Sequence, residues 1–212
     1  GFTLPQNAAG VVRYHRDAGT EQSDTIVAWS PVRKLVPGNL NRLSWDYLQG
    51  RPMTANTPSC IDQGATGSRF ALGLDDYLID VPHAGADGDD YRELGELRMK
   101  RHEYESKCFY GEGSVRALCI GEWIALSGHP DIDTHAPQER EFVITRLEVD
   151  AQNNLPKTLD DRIQRLFALN RWHETHVDSR LHRASAEPGM RYMNRFACVR
   201  RSIPIVPAFD PR

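Results

Sequence analysis

A long hydrophobic run is the first thing this sequence lacks: nowhere do about 18 apolar residues follow one another, so no helix in it spans a bilayer. Cysteine is scarce, with Cys60, Cys108, Cys119 and Cys198 among 212 residues and no Cys-x-x-Cys pair. Four thiols in a chain this long make no disulfide scaffold, and reduced, buried thiols and cytoplasmic folding are expected. An excess of positive charge is also missing. The 26 Lys and Arg face 29 Asp and Glu, a net charge of -3, so no global field draws in nucleic acid. The start, Gly1-Phe-Thr-Leu-Pro, carries no initiator Met, basic n-region or apolar h-region, and reads as the start of an internal piece of a longer protein with no signal peptide. What is present is an ordinary globular composition, 40% apolar and 26% charged, on a chain long enough to bury about 70% of its unfolded surface.

Short β-rich segments open the chain at Val11–Arg16, Thr25–Trp29 and Leu40–Leu48, separated by Gly, Pro and Asp. In the third, Asn41, Leu43, Trp45 and Tyr47 alternate with Arg42, Ser44 and Asp46, the pattern of a half-buried antiparallel strand. From Gln49 to Gly73 the periodicity fades and a loop or linker is expected. Asp90-Tyr-Arg-Glu93 has the form of a capping box, predicting a helix to about Glu105 with Tyr91, Leu94 and Leu97 as a narrow apolar stripe on a β core. A second helix is predicted over Leu159–Trp172. Strands are predicted at Glu122–Gly128, Glu141–Ala151, Arg191–Arg201 and Ile203–Val206. The fold class is therefore mainly β (α+β), an antiparallel sheet closed into a small barrel with flanking helices.

The candidate chemical motifs fail on spacing or context. Gly111-Glu-Gly113 has neither the Lys-Ser/Thr of a phosphate loop nor a helix behind it, and glycines before a strand mark a bulge or entry turn. His173-Glu-Thr-His176 is one residue short of the metalloprotease spacing. Asp178 and His182 could join those histidines in a metal site, but a polar loop from His173 to Gly189 accounts for them more simply. His129, Asp131, Asp133 and His135 alternate as ligands might, yet Pro130 and Pro137 favour a polar turn. No serine lies in a nucleophile elbow, and Cys119, between Leu118 and Ile120, reads as a packed thiol. Asp75-Asp76 and Asp89-Asp90 read as turn and cap residues. No catalytic constellation and no cofactor site is expected; the rival reading is a metal-dependent hydrolase effector using His173, His176, Asp178 and His182.

Several motifs in order then carry a resemblance. Leu74-Asp-Asp-Tyr-Leu-Ile-Asp-Val-Pro-His-Ala-Gly-Ala-Asp-Gly-Asp-Asp-Tyr91, Cys108-Phe-Tyr-Gly-Glu-Gly-Ser-Val-Arg116, Leu126-Ser-Gly-His-Pro130, Arg140-Glu-Phe-Val-Ile-Thr145 and Asn194-Arg-Phe196 resemble the VgrG spike proteins of type VI secretion, relatives of phage tail-hub and late control D proteins. The resemblance implies an inter-barrel region over 1–107, ending in a helix at about 90–105. It implies a second hub β-barrel over 108–212, with a helical insertion at about 159–172. Gly111, Gly113, Gly121, Gly128, His129 and Pro130 are its structural signature, the glycines bracketing two strands as barrel corners require. It further implies a homotrimer docked on a hexameric Hcp-like tube, with effectors or a tip protein carried by C-terminal parts this piece lacks. Assembly would be cytoplasmic, followed by translocation through the type VI system; a contractile prophage hub is the alternative.

Overall fold

The computed structural model describes residues 3–16, 23–151, 162, 165 and 192–208. Among the described residues are nine strands, β1 (Gln6–Arg13), β2 (Ile26–Arg33), β3 (Asn39–Asp46), β4 (Arg51–Pro58), β5 (Asp75–Ile79), β6 (Lys107–Gly113), β7 (Trp123–Ser127), β8 (Glu141–Ala151) and β9 (Tyr192–Arg200), two α-helices, α1 (Ala65–Ala71) and α2 (Gly88–Ser106), and two short 3-10 turns at Ile132–Thr134 and Pro137–Arg140. Of the helix predicted over Leu159–Trp172, residues 162 and 165 alone are described, and both are helical.

Six strands form one sheet in the order β1-β7-β8-β9-β6-β2. It curls until its two edges meet at a single bridge, Tyr14 to Ile26, where the His15 N–H donates to the Ile26 carbonyl at 2.8 Å. Curling turns one face inward, and the residues there are the largest apolar ones. Trp29 stacks on Phe109 at 5.4 Å and meets Phe142 edge-on at 4.8 Å, with Phe196 beside them. Ile26, Ile124, Leu126, Ile144 and Cys198 complete this core, all essentially out of water. Aromatic pairs in these orientations add about 1 kcal/mol each beyond the area they bury.

The mainly β fold is as the composition and turn grammar predict, with two departures in topology. β1 pairs parallel to β7 and β3 parallel to β5, where an all-antiparallel sheet was expected. The barrel sheet also takes β1 and β2 from the N-terminal region, so it spans the boundary expected at 107/108. Both follow from one arrangement: β3, β4 and β5 leave the barrel between β2 and β6 to build a separate three-stranded sheet, β4-β3-β5, covered by α2.

That smaller sheet overturns the linker expected over 49–73. Its residues form β4 and α1 instead. β4 hides from a hydrophobicity reading because only Met53 and Ala55 are buried, while Pro52 and Pro58 sit near its ends on an edge strand where missing N–H groups cost nothing. β3 also reverses its expected faces. Leu40, Ser44 and Asp46 are buried, and Trp45 is exposed. Ile203–Val206, predicted as a strand, carries no strand pairing; Pro204 interrupts it just after a turn in which the Ile203 N–H donates to the Arg200 carbonyl.

The long helix begins three residues before the predicted box. Asp87 is the cap, accepting the N–H groups of Asp89 and Asp90, while the Asp90 carboxylate reaches back to the Ala86 N–H. The box is thus Asp87–Asp90 and not Asp90–Glu93. The buried stripe is Tyr91, Gly95 and Met99, with Leu97 exposed. Gly95 sets this rotation, since a Cβ there would stand 2.8 Å from the Ala55 side chain of β4.

Candidate functional site

Helical spacing places Tyr91, Gly95, Arg98 and His102 on one face of α2, and that face lies on the reversed, polar side of β3 and β5. Two charge clamps close the joint. Asp80 accepts the Tyr91 hydroxyl at 2.8 Å and both terminal nitrogens of Arg98, at 2.6 and 3.3 Å. Asp76 accepts from Arg42 at 2.5 Å and meets the His102 Nε2 at 2.8 Å. Burial alone would raise the Asp80 carboxyl; hydrogen bonds from Arg98 and Tyr91 outweigh it and hold it below the ordinary carboxylate range. Burial and the Asp80 carboxylate push the Tyr91 phenol far above its usual value. Asp80 is thereby fixed as an anion and Tyr91 as a neutral donor. Neither is poised for proton transfer near neutrality, so the cluster is a clamp between helix and sheet.

Asp76, read from sequence as a turn residue, therefore belongs to β5 and to this clamp. The signal for this lies in the spacing: Asp76 and Asp80 are at strand spacing, as are Arg42, Ser44 and Asp46, so both sets can face one helix. Ser44 donates to the Val81 carbonyl at 2.7 Å, and Asp46 accepts the Leu48 N–H at 2.9 Å, which explains why these polar side chains are interior.

The signature residues of the barrel fall into two roles. Gly111 and Gly113 lie inside β6, where a Cβ would come within 2.3 Å of the Phe196 ring and 2.4 Å of the Thr25 carbonyl respectively. Gly121 and Gly128 have positive φ, 84° and 78°, at the two ends of β7. His129 and Pro130 follow in a turn. The His129 ring lies 4.7 Å from Tyr14, and its Nδ1 accepts the N–H groups of Asp131 and Ile132. Asp133 accepts the Gly128 N–H at 2.9 Å and His135 faces Glu139 at 3.2 Å, so the alternating His129, Asp131, Asp133 and His135 build a turn and do not converge. His173, His176, Asp178 and His182 lie outside the described residues. Among the described residues no three His, Cys, Asp or Glu side chains are grouped to hold a metal ion. The thiols correct one expectation: all four are free, but Cys60 and Cys119 are exposed and only Cys198 is fully buried.

Among the described residues no element covers the opposite face of the smaller sheet. Register sets Asn41 beside Tyr77 and Leu43 beside Ile79, pointing away from α2. Trp45, Tyr77, Ile79 and Val81 are 48%, 63%, 62% and 73% exposed, a contiguous apolar band. β5 is an edge of this sheet, with no further strand paired to it among the described residues. A bare apolar edge is a liability in a solitary molecule and an asset in one that assembles.

Comparison with known families agrees with a structural role. The sequence model described as phage tail baseplate hub (GPD) matches residues 3–155, nearly three quarters of the chain. The chain belongs to the phage tail baseplate hub family. This is a structural family, consistent with the expectation that the chain is not an enzyme. Its fold is similar to that of the 43 kDa tail protein of prophage MuSo2 from Shewanella oneidensis, with a TM-score of 0.51 and 10% identity over 96% of the chain. The hub chain spans 45% of the length of that protein. No curated protein matches it.

Proposed function

We propose that this hub chain works by self-association, forming with two further copies a ring that docks on the end of a tail tube and transmits the force of a contracting sheath. The observation that carries the reading is the exposed band of Trp45, Tyr77, Ile79 and Val81 beside the unpaired edge of β5. Burying such a band against a second copy removes apolar area from water, at about 25 cal/mol per Å2, while the edge supplies backbone hydrogen bonds. The specific form we infer is the VgrG-like spike of a type VI system, assembled in the cytoplasm on an Hcp-like tube and then translocated. The run of motifs from Leu74 to Phe196 supports it. A contractile prophage hub is the second reading, favoured by the likeness to a prophage tail protein.

Light scattering on a sizing column, over a wide concentration range, tests the common part of both readings. A trimer that Ile79→Lys converts to a monomer of unchanged circular dichroism is the expected result. A wild-type chain that is monomeric at every concentration, alone and in a longer form of the protein, would sink the proposal.

A further inference from the structure

Among the described residues four strands have an open edge: β1 and β2 at the borders of the barrel sheet, apart from the Tyr14–Ile26 bridge, and β4 and β5 at the borders of the smaller one. The hydrogen-bond pattern says which backbone groups each edge presents. The Ser59 N–H donates to the Gly38 carbonyl, so on β4 the backbone groups of Pro52, Thr54, Asn56 and Pro58 point away from β3. The Lys34 N–H donates to the Ser106 carbonyl, so on β2 those of Trp29, Pro31 and Arg33 point away from β6. Proline has no N–H to give, and both edges are blunted at the positions where a new strand would pair.

β5 and β1 contain no proline. The Asn39 N–H donates to the Leu74 carbonyl and the Asp80 N–H to the Leu43 carbonyl, which turns the backbone groups of Asp75, Tyr77 and Ile79 outward. On β1 the Tyr14 N–H donates to the Ser127 carbonyl, which turns those of Val11 outward just before the bridge. The side chains beside these groups match as well. Val11 is 66% exposed and Tyr77 63%. Two positions along from each, on the same face of its strand, stand Arg13 and Asp75, both exposed.

We propose that β5 of one copy pairs antiparallel with β1 of the next, Tyr77 lying opposite Val11 and Asp75 opposite Arg13. This deepens the self-association reading and rests on it. A closed ring of three needs two different surfaces on each copy, one for each neighbour, and β5 and β1 are the two edges that proline leaves open. Pairing β5 with β5 would close a two-fold dimer instead. Charge selects the antiparallel sense: it sets the Asp75 carboxylate against the Arg13 guanidinium, whereas the parallel sense sets Arg13 against Ile79. Each smaller sheet then continues into the barrel of its neighbour.

The test has two arms, read by light scattering with circular dichroism as the check on folding. In the first, Asp75→Arg and Arg13→Asp should each weaken the trimer, about fivefold per contact and about a hundredfold over three contacts. The chain carrying both exchanges should recover to within about fivefold of wild type. In the second, a chain with Cys60→Ser and Cys119→Ser also carries Val11→Cys and Tyr77→Cys. Opposite Cα atoms about 5.5 Å apart admit a disulfide, so mild oxidation should give a covalent trimer, and either new cysteine alone should give none. A wild-type trimer with neither recovery nor cross-linking overturns the pairing and leaves the ring reading standing. A dimer cross-linked through Tyr77→Cys alone overturns it in favour of β5 against β5. A wild-type chain that stays monomeric overturns both.

Discussion

The Phe196 ring occupies the space a side chain at Gly111 would need: a Cβ built on Gly111 stands 2.3 Å from the Phe196 Cζ. The two are register partners on β6 and β9, and Phe196 belongs to the aromatic core with Trp29. Gly111→Ala should therefore cost about 2 kcal/mol through overpacking. The same substitution in a Phe196→Leu background should cost clearly less, since the clash and the ring are one interaction. Urea denaturation of the two single variants and the double variant measures the coupling, and strict additivity would refute it.

Stability on the acid side should follow Asp80. Its folded-state pKa lies below the ordinary 3.8, so its contribution is present above that value and lost as pH falls through the lower folded one. Asp80→Asn removes the anion that the Arg98 guanidinium and the Tyr91 hydroxyl both hold, and should cost about 3 kcal/mol at neutral pH. It should also flatten the loss of stability between about pH 5 and pH 2. Denaturant midpoints across that range check both.

Tyr91 governs the alkaline side in the opposite sense. Its phenol is held above the ordinary 10.0, so its contribution is complete below that value and lost as pH rises through the folded one. Tyr91→Phe should cost about 1 kcal/mol at neutral pH and make the alkaline fall shallower. Stability curves to high pH for both proteins show it.

Asp87→Ala should destabilise the start of α2 by about 1 kcal/mol, while Asp87→Asn retains most of the cap. Amide exchange at Asp89 and Asp90 reports it, because those N–H groups lose their acceptor only in the alanine variant.

How far these features could be read beforehand depends on where each residue finds its partner. β8 was legible over its full length, Glu141–Ala151, because its eleven residues keep a strand pattern on local composition alone. Local spacing likewise revealed that a helix precedes β6. The polar face of β3 was misassigned because Arg42 finds Asp76 34 positions away, and Ser44 finds Val81 37 positions away. Polarity suggested water where distant partners supply the hydrogen bonds. β4 was lost for a related reason: its contribution is small residues under a glycine of α2, a matter of shape that hydropathy does not register. That β1 and β5 are the edges left open emerges only from the two strand orders and from the prolines that register places on β2 and β4.

The place of β9 also dictates when the barrel can exist. Last of the described strands, it lies between β6 and β8 in the sheet, and β1 must find β7 more than a hundred residues downstream. During synthesis β1, β2, β6, β7 and β8 are all made before β9, the strand that joins the β1-β7-β8 half of the sheet to the β6-β2 half. The smaller sheet and α2 are encoded within 39–106, so all their strand pairings are available before β9 is made. The pairings of the smaller sheet are short-range and those of the barrel long-range, and the loop-closure cost of the latter falls on the two strands, β6 and β8, that β9 joins.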